Sequence, residues 1–99
     1  VVGDMLELGN QEHSAHQKLG VEAAQTGFDY FITVGERAGI AAKAAVQSGM
    51  AEDRAPSFDS HQAAADFLKK ILEPGDCALF KGSRGAGMEK VVKAIMNQD

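Results

Sequence analysis

The sequence predicts an α/β fold: a mainly parallel sheet of about four strands with helices on both faces. Three observations carry that expectation. Short apolar or β-branched runs alternate with longer stretches of helical periodicity, in the order β-α-β-α-β-α-β-α. The connections are short and hold no hairpin signal such as Asn-Gly, so right-handed crossovers join the strands. Near the end of the chain a strand-like run enters a helix through a glycine-rich loop, a feature of the carboxyl ends of parallel strands.

Val1-Val2 reads as a strand, followed by the loop Gly3-Asp4-Met5-Leu6-Glu7-Leu8-Gly9. Asn10 is a helix cap without a capping box, because His13 stands where Glu or Gln would reach back. Ala15, His16, Leu19 and Ala23 carry helical spacing to Thr26, and Gly27 stops the helix. Tyr30-Phe31-Ile32-Thr33-Val34 is the clearest strand. Gly35 turns it into an alanine-rich helix from about Glu36 to Ser48, with Gly49 at its end.

Ser57-Phe58, pressed between Pro56 and Asp59-Ser60, is a short strand expected at an edge. Ser60 then caps an amphipathic helix whose stripe is Ala64, Phe67, Leu68, Ile71 and Leu72, ended by Pro74-Gly75. Cys77-Ala78-Leu79-Phe80 has the continuous apolar pattern of a strand covered on both faces. The last helix runs from Met88 to about Met96 and turns Met88, Val91, Val92 and Ile95 toward the core. The expected strand order is 3-2-1-4, all parallel, with one sheet edge left open or re-paired with another molecule.

Ninety-nine residues make one domain over 1–99, and 44% hydrophobic with 24% charged residues is ordinary globular composition. A formal net charge of −4 argues against nucleic acid or an anionic membrane as partner. Cys77 is the single cysteine, so no disulfide forms within the chain, which fits a reducing compartment; as a buried thiol it reads as packing. The chain opens on Val1-Val2-Gly3 without an initiator methionine, a signal peptide or a membrane span, and we expect it to be a piece of a longer protein.

Chemistry concentrates in Lys81-Gly82-Ser83-Arg84-Gly85-Ala86-Gly87. Three glycines let the backbone approach a ligand, the next helix aims N–H groups at the loop, and Lys81, Ser83 and Arg84 add two cations and a hydroxyl. An anion, carboxylate or phosphate, suits such a loop. Gly82 and Gly87 have the spacing of a nucleotide P-loop, but Met88 and Glu89 stand where its lysine and hydroxyl belong, and the glycine order is not G-x-G-x-x-G. A nucleoside triphosphate site is not expected, and the plain alternative is a turn whose glycines serve geometry only. Asp4 and Glu7 share one loop and could form a carboxylate pair for acid/base or metal work, although two acids in one loop are more often solvated or capping. His13 and His16 lack metal-ligand spacing, so no metal site is expected; His16 reads as a half-buried structural histidine and His61 as a solvated one.

The combination of Gly3-Asp4-Met5-Leu6-Glu7-Leu8-Gly9, His16 followed by Gly20, and Lys81-Gly82-Ser83-Arg84 with Met88-Glu89-Lys90 resembles the C-terminal domain of the bacterial Mur ligases. Nearly the whole chain takes part. The resemblance implies a Rossmann-like three-layer domain and a role in peptidoglycan synthesis. It is closest to the members that use ATP to add D-alanyl-D-alanine to UDP-N-acetylmuramoyl-tripeptide through an acyl phosphate in the cytoplasm. In that family a central domain of the same chain holds ATP and Mg2+, so this domain alone is expected to carry no catalytic residue, bind no cofactor tightly and be inactive. Its implied task is to close over the site and present the dipeptide, with Lys81, Gly82, Ser83 and Arg84, and beside them Asp4 and Glu7, as substrate-binding residues. The rival reading is a stand-alone Rossmann-like or flavodoxin-like module that binds a phosphorylated ligand or partner without catalysis.

Overall fold

A computed structural model of the protein describes residues 1–3, 12–76, 78–81 and 87–96. Strands β1 (Val2–Gly3), β2 (Thr33–Val34) and β3 (Ser57–Phe58) form a parallel sheet in the order β1-β2-β3. In register, Val2 faces Thr33 and Thr33 faces Ser57. On the other side of β1 a parallel bridge joins Val2 to Lys81. The expected order 3-2-1-4 is therefore present, with the fourth member reduced to a bridge.

The assigned strands are short, yet their hydrogen bonds continue past them. Phe31, Thr33 and Gly35 N–H groups donate in turn to the carbonyls of Arg54, Pro56 and Phe58 at 2.8, 3.0 and 2.9 Å. Only every second residue donates, as a slanted parallel ladder requires. The stretch that looked like a strand from Tyr30 is thus paired from Phe31 onward, although regular pairing on both sides is confined to Thr33–Val34. A 3-10 turn at Glu52–Arg54, which periodicity did not foretell, brings Arg54 to the start of that ladder.

Four helices, α1 (Glu12–Thr26), α2 (Ala38–Gln47), α3 (His61–Ile71) and α4 (Met88–Met96), complete the described elements. They divide between the two faces because side chains alternate along β2. Phe31 joins Val2, Ala23, Ala41 and Ala45 on the α1–α2 side, while Ile32 and Val34 join Ala64, Ala65, Leu68, Met88 and Val91 on the α3–α4 side. The result is the three-layer arrangement that strand and helix alternation implied. Fully burying side chains of this kind contributes roughly 1.5–3 kcal/mol each for the larger ones.

Small residues decide how closely α1 and α2 approach. A Cβ at Gly20 would lie 2.1 Å from the Ala41 carbonyl oxygen and 2.9 Å from the Ala44 Cβ, so only glycine fits that crossing. His16 lies one turn earlier on the same face of α1 and is 0% exposed, fully rather than half buried, because the close helix pair covers it. Helix α2 begins at Ala38 after a turn at Glu36 and Arg37, two residues later than periodicity indicated.

Two apolar expectations need correction. Leu79 is 70% exposed and Ala78 is exposed, so this stretch is an edge and not a strand covered on both faces. Phe80, of opposite parity, packs against the α3–α4 cluster, whereas among the described residues no helix covers Leu79. Val92 is 37% exposed on the flank of α4, leaving Met88, Val91 and Ile95 as its inner face. Cys77 and the Asn10 cap lie outside the described residues.

Candidate functional site

Parallel pairing carries the carboxyl ends of all the strands to one rim, and the connections into α1, α2, α3 and α4 leave from it. The closest pairing on that rim concerns the first and last of these connections. The Gly3 N–H donates to the Lys81 carbonyl at 2.8 Å, and the Lys81 N–H donates to the Val1 carbonyl at 2.9 Å. One step earlier the Val1 nitrogen donates to the Leu79 carbonyl at 2.7 Å. Gly3 and Lys81 are thus locked side by side at the points where the residue 4–11 connection and the residue 82–86 connection depart. Chemistry-bearing residues 78 positions apart in sequence begin from one hydrogen-bonded pair.

Of the expected binding residues, the structure describes Lys81, which is exposed at the rim. Gly82, Ser83, Arg84, Asp4 and Glu7 lie outside the described residues. The β2–α2 connection adds Glu36 and Arg37, both exposed. His13 is exposed and His16 enclosed, and among the described residues no three His, Cys, Asp or Glu side chains gather as a metal would need. An open groove of about 390 Å³ between α2 and β3, lined by Gly39, Lys43, Gln47, Glu52 and Ser57, lies on the other side of β2 from Lys81.

One rim residue was misjudged from sequence. His61, the first residue of α3, is partly buried rather than simply solvated. Its Nε2 lies 3.4 Å and its Cε1 3.5 Å from where a Cβ on Gly87 would sit, and Lys90 Cδ lies at 3.5 Å from the same point. Gly87 itself is buried with φ +66°, and its carbonyl accepts from the Lys90 N–H at 2.9 Å in the first turn of α4. The available signal was topological: a residue directly after the Ser60 cap lies where the β3–α3 connection meets the rim.

Comparison with known proteins agrees with this arrangement. The family model described as Mur ligase, glutamate ligase domain, matches residues 1–84. The UDP-N-acetylmuramoyl-tripeptide--D-alanyl-D-alanine ligase of Bacillus subtilis (strain 168) is 31% identical over 96 residues, covering 97% of this chain and 21% of that protein. The ligase of the same name from Escherichia coli (strain K12) is 35% identical over 97 residues, covering 96% of this chain and 20% of its own length. In three dimensions, crystal structure II of MurF from Acinetobacter baumannii superposes with a TM-score of 0.81 at 28% identity, over 99% of this chain and 22% of that one. The chain spans about a fifth of the length of the curated relatives it matches. With a family model over most of its length, named relatives over nearly all of it and a shared Rossmann-like fold, the chain belongs to the Mur ligase family as its glutamate ligase domain.

Proposed function

We propose that this chain is the C-terminal domain of an ATP-dependent ligase that joins D-alanyl-D-alanine to UDP-N-acetylmuramoyl-tripeptide in cytoplasmic peptidoglycan synthesis. The observation that carries the reading is that relatives bearing the name of that ligase cover nearly the whole chain, and the Gly3–Lys81 pairing supports it by holding together the two residues from which the expected binding connections leave. The family description speaks only of a glutamate ligase domain, and the dipeptide as substrate is favoured because the relatives in hand that cover the chain are named for it. The same names weigh against a stand-alone binding module.

The domain's task is to present the dipeptide. D-Alanyl-D-alanine must offer its amine to an activated carboxyl while its own carboxylate is held. Arg84 supplies a fork that meets a carboxylate through two parallel hydrogen bonds, Lys81 adds a point charge, and Ser83 adds a neutral donor. Gly82 allows close backbone approach, and Asp4 and Glu7, in the connection that follows Gly3, are assigned to the same task.

The described residues do not fit ATP with Mg2+. Met88, at the place of a P-loop lysine, is 8% exposed and packed in the α3–α4 core, and no acidic cluster stands beside it among the described residues. ATP and Mg2+ belong to the central domain of the complete ligase, with which this domain would close. The test is ADP release by the complete enzyme. Turnover that requires both UDP-N-acetylmuramoyl-tripeptide and D-alanyl-D-alanine supports the reading, and turnover with a single amino acid in place of the dipeptide would replace it.

A further inference from the structure

We infer that the groove between α2 and β3 docks an extended peptide segment of another protein, which joins the sheet as a strand beside β3. The sheet ends at β3, and among the described residues no strand pairs with its outer side. Its inner side is occupied: the Thr33 N–H donates to the Pro56 carbonyl and the Gly35 N–H to the Phe58 carbonyl. Ser57 lies between these two acceptors, and the alternation of a parallel ladder turns its own N–H and C=O the other way, toward the open edge. Ser57 is exposed, so this donor and acceptor are within reach of a partner.

The groove of about 390 Å³ runs along the same edge. Its apolar lining is small, with Ala42 and Ala55 buried and Val46 partly buried. Its charges are exposed and opposite: Lys43 on α2 and Glu52 in the turn before β3. Helix α2 starts at the rim, whereas the Glu52–Arg54 turn precedes β3, so Lys43 lies nearer the rim and Glu52 at the far end. An extended peptide meets all of these features together. Its backbone pairs with Ser57, alternate side chains enter the groove, and an acid and a base face Lys43 and Glu52. A simple anion or cation would leave one charge and the Ser57 backbone unmet. Because β3 has only two paired residues, backbone pairing alone gives little affinity. The groove therefore selects the partner: a small or β-branched residue between an acid and a base, the acid first in a peptide antiparallel to β3.

The experiment is fluorescence anisotropy of a labelled peptide, Thr-Asp-Val-Ala-Val-Lys-Thr with blocked ends, titrated with the complete ligase. Wild type is compared with Ser57→Pro and Lys43→Glu, with melting temperatures alongside. Ser57→Pro deletes the outward N–H, which the ladder to β2 does not use. Wild type is expected to bind saturably, and each variant about tenfold more weakly, the loss of one hydrogen bond or one charge contact. The peptide with its acid and base exchanged is expected to bind wild type weakly and to recover with the Lys43→Glu, Glu52→Lys double variant. No saturable binding to wild type below about 1 mM overturns the inference. Equal affinity for both peptides, or for folded Ser57→Pro and Lys43→Glu, also overturns it. A dimer in sedimentation that the peptide does not dissociate would give the edge to a second copy instead. Binding needs no turnover, so failure here leaves the ligase reading standing.

Discussion

Arg84 and Lys81 both carry a positive charge in the proposed binding loop, but they differ in what they do with it. A guanidinium holds a carboxylate in fixed orientation, whereas an ammonium attracts it without direction. Arg84→Lys in the complete ligase therefore keeps the charge and loses the fork. KM for D-alanyl-D-alanine is expected to rise by the equivalent of roughly 1.5–3 kcal/mol, with KM for ATP nearly unchanged. Unchanged dipeptide kinetics in a folded variant would leave the loop as turn geometry alone. At this scale the sequence was legible where residue type and chemistry coincide, as in Lys81-Gly82-Ser83-Arg84. It was not legible for His61, whose partial burial near Gly87, 26 positions away in the chain, is something local patterns do not report. Gly20 was noticed within a family resemblance, and its physical reason, the 2.1 Å approach of the Ala41 carbonyl to a would-be Cβ, is visible only once two helices are packed.

Helices were read more faithfully than strands, and the cause is the length over which each signal repeats. Helix α3 runs His61–Ile71 behind the expected Ser60 cap, with Ala64 and Leu68 of the expected stripe buried and Phe67, Ile71 and Leu72 partly buried against the same core. The strands give only two paired residues each, too few for periodicity, and Cys77-Ala78-Leu79-Phe80 was apolar enough to look enclosed although Leu79 lies on an open edge. The α3 cap gives a clean test, because its single hydrogen bond to the Ala63 N–H is exposed and local. Ser60→Ala is expected to destabilise the domain by about 0.5–2 kcal/mol, measured by urea unfolding, while Ser60→Asp retains most of the stability. Gly20→Ala tests the opposite face. The clash is with backbone, which cannot rotate away, so α1 and α2 must separate at an expected cost of about 1–3 kcal/mol or more. An unaltered urea midpoint in Gly20→Ala would mean that the two helices pack less closely than 2.1 Å implies.

The whole molecule is a parallel sheet with a helical layer on each face and the carboxyl ends of its strands on one rim. Met88 and Glu89 stand where the lysine and hydroxyl of a nucleotide P-loop belong, and Met88 is packed in the α3–α4 core, so the 99-residue polypeptide is expected to hydrolyse no ATP and to bind it weakly; a tight magnesium-dependent site in calorimetry would contradict this.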